Sequence, residues 1–151
     1  MQNIFDAATA QDYIARINKL TPETTPKWGV MSADQVLAHL NVAYELAFEP
    51  QKFKKMNGIA RFIMKNFVKS KVVGEKSYPQ NGPTSPLFKI AGNKDFDAEK
   101  KKLIGFIQKT QQLGREAFDG KENHSFGKLT AQEWNNMFAK HLNHHLQQFG
   151  V

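Results

Sequence analysis

The chain contains no cysteine among its 151 residues, which excludes a disulfide framework, a thiolate nucleophile and a thiolate metal site. No stretch comes near the ~18 consecutive apolar residues that a membrane span needs. The first residues, MQNIFDAATAQDY, lack the basic opening and apolar run of a secretory signal. We therefore expect a cytoplasmic protein. Internal repeats, low-complexity tracts and convincing strand patterns are missing as well. The remaining composition, 40% apolar and 23% charged, is ordinary for a globular chain, and the length suits one domain spanning 1–151.

What is present is helical spacing. Tyr13, Ile14 and Ile17 predict a first helix over Thr9–Leu20, followed by a loop from Thr21 to Lys27 with two prolines and three threonines. Ser32 with Gln35 forms a capping box, so a second helix starts there, runs to about Phe48 and stops before Pro50. Phe53–Val72 is periodic too, with Phe53, Met56, Ile59, Ala60, Ile63, Met64, Phe67 and Val68 on one side. Gly74–Asn93 holds three prolines and three glycines and reads as an extended loop. Another helix opens at Asp95–Asp97 and carries Leu103, Ile104, Ile107, Leu113, Ala117 and Phe118. Thr130 and Glu133 make a second capping box, and the last helix runs on to Gly150.

That last helix bears the chemistry. His141 and His145 fall within the stripe set by Trp134, Met137, Phe138 and Phe149, one turn apart. His39 lies beside Val36, Leu40 and Ala43 on the second helix. The long excursion over 49–94 allows the second and third long helices to run parallel, which makes the second and fourth antiparallel. At ~1.5 Å per residue, His39 then sits ~10 Å from the start of its helix, and His141 and His145 average ~9 Å from the end of theirs. The three can meet. Neutral imidazoles suit zinc, nickel, iron or copper, and three protein ligands leave a position open for water or substrate. A zinc-protease motif needs Glu after the first histidine, where this chain has Leu142. His144, on the edge of the helix, reads as a hydrogen-bonding partner between helices, and His124 as a loop-bracing residue. Gln148 returns to the histidine face, either as a group that positions a ligand or water or as ordinary packing. Neither Asp34 nor Glu45 has a strong claim to act as a general base.

A histidine on the second helix, a long crossover, and HLNHHLQQFG near the end resemble the DinB/YfiT-like superfamily of metalloenzymes. His141, His145 and Gln148 match that superfamily's final motif, and HSFGKLT with Trp134 resembles, more specifically, a bacterial subfamily of unknown function. Ser125 and Asn143 depart from its pattern, though neither is a presumed ligand. The resemblance implies an all-α, up-down-down-up four-helix bundle with a long crossover between helices two and three. It also implies a divalent metal, zinc or nickel foremost, on His39, His141 and His145. A small-molecule hydrolase or a transferase using an external thiol follows, with Trp28, Tyr44 and Trp134 as candidate pocket walls.

The net charge of +7 is concentrated. Residues 51–76 hold eight basic side chains and one acid, Glu75, whereas the rest of the chain balances 13 against 13. A solvated helix face accounts for this most simply. Alternatively, Lys52, Lys55, Arg61, Lys65 and Lys69 hold an anionic substrate at the mouth of the site, or the segment meets an acidic membrane surface. Nucleic acid ranks last, because the aromatics lack stacking-motif spacing. The competing class is a metal-free helical binding or structural module whose segment 51–76 contacts an anionic partner. A homodimer remains open.

Overall fold

A computed structural model describes residues 2–151 and is mostly helical. The helices are α1 (Ala7–Asn18), α2 (Ala33–Phe48), α3 (Gly58–Ile63), α4 (Lys69–Val73), α5 (Phe96–Leu113) and α6 (Ala131–Gln148). Both predicted capping boxes are present, at Ser32/Gln35 and at Thr130/Glu133. They satisfy amides that would otherwise be orphaned at the starts of the two helices carrying the histidines. Helix α6 ends as the sequence indicates: Val151 N–H donates to the Leu146 carbonyl and Gly150 N–H to that of Gln147. This is a Schellman closure, and it needs the left-handed backbone that Gly150 supplies at φ 77°.

Side-chain contacts give the relative directions of the long helices. His39 meets His141 and His145 while Tyr44 stacks on Phe138, so α2 and α6 run oppositely. Asn41 reaches Glu99, Glu45 pairs with Lys102, and Phe48 stacks on Phe106, so α2 and α5 run the same way. Tyr13 donates to the Ala139 carbonyl and Arg16 to Asn143, which sets α1 parallel to α6. The core between these helices is aromatic. The rings of Phe138, Tyr44, Phe106 and Phe48 stack within 8° of parallel in one ladder, with Phe118 edge-on against both Phe48 and Phe138 and Trp134 tilted against Phe138. Each such buried ring contributes roughly 1.5–3 kcal/mol through burial alone.

Three features differ from the sequence expectations. The excursion helix is not one regular element: α3 passes through a π-helical stretch, Met64–Val68, into α4. It also buries only half of its apolar residues. Met64, Val68 and Val72 pack on the core, whereas Ile59, Phe62, Ile63 and Phe67 stay exposed. A segment lying across a bundle can be covered on one side only, and this one is apolar on two. Second, a short antiparallel hairpin, β1 (Glu122–Asn123) and β2 (Gly127–Lys128), stands where no strand was expected. The Asn123 side chain builds its turn by accepting from the amides of Ser125 and Phe126. Third, α5 stops at Gly114, and Ala117 and Phe118 belong to a separate 3-10 turn.

The return connection is tied down at both ends. Near α2, Gln35 donates to the Gly92 carbonyl and Lys94 N–H to Asp34. Near α6, Asn136 donates to the Val73 carbonyl, while Lys140 Nζ donates to the carbonyls of Lys71 (2.8 Å) and Gly74 (2.6 Å). Glu133, Asn136 and Lys140 lie at helical i, i+3, i+7 spacing, so one face of α6 holds residues 69–74.

Candidate metal centre

His39, on the first half of α2, and His141 and His145, on the last two turns of α6, converge with ligand nitrogens all within 4.8 Å of one another. The antiparallel arrangement of α2 and α6 brings their heights into register. His39 and His145 are buried, and His141 is the more exposed of the three. No carboxylate joins the cluster among the described residues.

Two of the rings are oriented by protein acceptors. His39 Nδ1 lies 2.8 Å from the Phe88 carbonyl, which can only accept, so that nitrogen carries the proton. His145 Nδ1 lies 2.7 Å from Gln148 Oε1, and the amide is oriented by its own donation to the Trp28 carbonyl at 2.6 Å. His145 Nδ1 is therefore a donor as well. Both rings turn an unprotonated Nε2 toward the cluster. That is the tautomer of a histidine ligand with its outer nitrogen anchored. The third contact, His39 Nε2 to His141 Nε2, is 2.8 Å and is satisfied when His141 Nε2–H donates. Two ligands of one tetrahedral ion, with bonds of about 2.0–2.1 Å, stand about 3.3 Å apart. A modest spread of this pair, with the His141 proton carried on Nδ1 instead of Nε2, accommodates an ion.

The electrostatics favour neutral rings. Burial pushes His145 down to about 3, and the neighbouring His39 and His144 add to this against the Gln148 bond. Burial also holds His141 well below the ordinary imidazole value, with His39, His145 and His144 reinforcing it. His39 is lowered by burial, partly offset by the Phe88 carbonyl. A ligand set must be deprotonated before it binds, and this one stays so well into acid.

The other predicted residues divide. Gln148 is placed against His145 as anticipated. Its reach to Trp28 explains Gly29, where a Cβ would come 2.5 Å from Gln148 Nε2 and the backbone has φ 82°. His144 is no hydrogen-bonding bridge: its ring packs edge-on against Trp28, Tyr78 and His145. Tyr44 and Trp134 are not pocket walls. They are fully buried in the aromatic ladder, because the stripe that carries the histidines becomes core one turn further along. His124 lies beside Phe53, away from the cluster. Glu45 is committed to Lys102, and Asp34 to Ser32 and Lys94. Of the basic residues proposed for the mouth, Lys52 pairs with Glu49, Arg61 with Glu122 and Lys69 with Glu133.

Sequence reading missed Phe88, Tyr78 and Lys140. Phe88 acts through its backbone carbonyl and also places its ring 5.8 Å from His141. Tyr78 stands between the cluster and a groove of about 830 Å³ lined by Trp28, Tyr78, Lys140, His144 and Arg16. Lys140 lies 4.5 Å from the Tyr78 ring, and burial lowers it to about 8. A lysine on a buried helix face was the one sequence signal for it.

The fold and site define a predominantly helical protein with a buried three-histidine cluster able to hold a metal. The family model described as "Protein of unknown function (DUF1569)" matches residues 4–150, and the chain belongs to that family. No curated protein and no solved structure matches it.

Proposed function

We propose that the protein binds one divalent transition ion, zinc or nickel, through His39, His141 and His145 and acts on a small molecule as a hydrolase or thiol-dependent transferase. The observation that carries the reading is the pair of anchored outer nitrogens, His39 Nδ1 on Phe88 and His145 Nδ1 on Gln148, which leaves the inner nitrogens convergent. The one contact made by an inner nitrogen, His39 Nε2 to His141 Nε2, lies within the cluster itself, and no group from outside the cluster occupies the inner nitrogens of His39 and His145 among the described residues. Three neutral imidazoles leave such an ion its full double charge, which acidifies water or binds a thiolate. A thiol would come from outside, since the chain has no cysteine.

The helix directions support an up-down-down-up four-helix bundle with its crossover over 49–94, consistent with the resemblance to DinB/YfiT-like proteins. The groove beside Trp28, Tyr78 and His144 is the natural seat for a substrate, one ring's thickness from the cluster. His144 and Tyr78 then serve as its inner wall.

Metal analysis by mass spectrometry on untagged protein tests the site. About one ion per chain is expected, abolished in a His141→Ala, His145→Ala double variant and little changed in His144→Ala. Full stoichiometric metal in the double variant refutes the site. Titration of the cobalt-substituted protein with small thiols separates the two chemistries. An intense sulfur-to-metal band supports the transferase; spectral change with pH alone, near neutrality, supports the hydrolase.

A further inference from the structure

The excursion helix presents a second apolar face that nothing among the described residues covers. Ile59, Phe62, Ile63 and Phe67 are 78%, 64%, 48% and 66% exposed, and their i, i+3, i+4, i+8 spacing puts them on one outward side. Large apolar side chains are seldom exposed in such a contiguous row. Around them lies the chain's whole charge excess. Of the eight basic residues in 51–76, Lys52, Arg61 and Lys69 are held by Glu49, Glu122 and Glu133. Lys54, Lys55, Lys65, Lys71 and Lys76 are exposed and make no ion pair among the described residues. The opposite side of the same helix is fastened to α6 through Asn136, Lys140 and Glu133. The apolar row is therefore presented on a supported scaffold.

We propose that this face docks on the surface of an anionic lipid bilayer, with Ile59, Phe62, Ile63 and Phe67 entering the headgroup region and the free lysines meeting acidic headgroups. Exposed aromatic and aliphatic side chains flanked by lysines are what an interfacial helix requires. No helix among the described residues is long and apolar enough to cross a membrane, so the contact is peripheral. A second copy of the chain is the poorer occupant, because pairing this face with itself would oppose two clusters of unpaired lysines. A nucleic acid would engage the lysines but leave four large apolar side chains in water. The inference does not depend on the metal site.

The absence of cysteine allows a direct test, since Phe62→Cys introduces the chain's single thiol for an environment-sensitive dye. Untagged protein is sedimented with vesicles of phosphatidylcholine alone and with vesicles containing 30% phosphatidylserine, at physiological salt. Binding to the acidic vesicles only is expected, with a blue shift of the dye at position 62. Phe62→Ser with Phe67→Ser should weaken binding at least ten-fold. Replacing Lys54, Lys55, Lys65 and Lys71 with Gln should weaken it several-hundred-fold, at roughly five-fold per lysine near an acidic surface. All six substituted side chains are exposed, so circular dichroism should stay unchanged. Failure to sediment with acidic vesicles overturns the proposal, as does binding without a shift at position 62. Dimerisation in sedimentation equilibrium that Phe62→Ser abolishes assigns the face to a second copy instead. Oligonucleotide binding that survives the two serine substitutions, with no vesicle binding, assigns the lysines to nucleic acid.

Discussion

Gln148 allows the sharpest test of the candidate centre, because one buried side chain joins two parts of the argument. Its Oε1 accepts from His145 Nδ1 at 2.7 Å and its Nε2 donates to the Trp28 carbonyl at 2.6 Å. Gln148→Met keeps the approximate volume and removes both bonds. His145 then loses the acceptor that sets its tautomer, and loss of such a partner lowers metal affinity about 10–100-fold, or about 1.4–2.8 kcal/mol. Stability should fall as well, by about 2–4 kcal/mol, because the buried His145 N–H loses its partner at about 1–3 kcal/mol and the part-buried Trp28 carbonyl at about 1 kcal/mol. Gln148→Glu separates the two effects. A carboxylate still accepts from His145 but cannot donate to Trp28, so metal affinity should hold while stability drops. Gly29→Ala should resemble the Met variant, since the new Cβ would occupy the space of Gln148 Nε2. Affinities are read by competition with a chromogenic chelator on untagged protein, and stabilities by urea denaturation of the metal-free forms. If Gln148→Met binds zinc as tightly as the parent, Gln148 is mere packing and does not anchor His145 for a metal.

Three further outcomes follow from the same contacts. In metal-free protein, folded His145 accepts a proton only near pH 3 whereas the unfolded chain does so near 6.5, so the unfolded state binds more protons between those values. Stability should therefore fall as pH drops below about 6.5, with His145 alone costing about 2 kcal/mol at pH 5; a urea midpoint unchanged between pH 7.5 and 5 would contradict this. Lys140→Met removes the donors to the Lys71 and Gly74 carbonyls, so hydrogen exchange should quicken over residues 69–78 with the core little affected. Equal protection in the variant would show that Lys140 does not hold the excursion. Tyr44 Oη is buried with no hydrogen-bond partner among the described residues, so Tyr44→Phe should keep metal binding and raise stability by up to about 1 kcal/mol. A loss above that in thermal denaturation would mean the hydroxyl is satisfied after all.

Much of this protein follows from local rules acting on short stretches of sequence. The capping boxes at Ser32 and Thr130, the stop before Pro50 and the glycine closure at Gly150 depend on residues within one helical turn. The spacing of His141 and His145 and the height of His39 depend only on helix geometry and on α2 and α6 being antiparallel. The meeting of the three histidines could therefore be worked out in advance. Tertiary structure decided what periodicity leaves undetermined, namely which side of each stripe is covered and by what. Tyr44 and Trp134 share spacing with the site but lie in the aromatic ladder, because burial varies along a stripe as different neighbours cross it. The excursion helix is apolar on two sides, and only its packing on α6 settled that Met64 and Val68 turn inward while Phe62 and Phe67 remain outside. Phe88 orients His39 through a backbone carbonyl, a group every residue possesses, so no side-chain pattern could mark it. The anchoring of the cluster thus rests on contacts between residues 49 apart for Phe88 and 120 apart for Trp28 with Gln148, distances over which sequence spacing carries no geometric information.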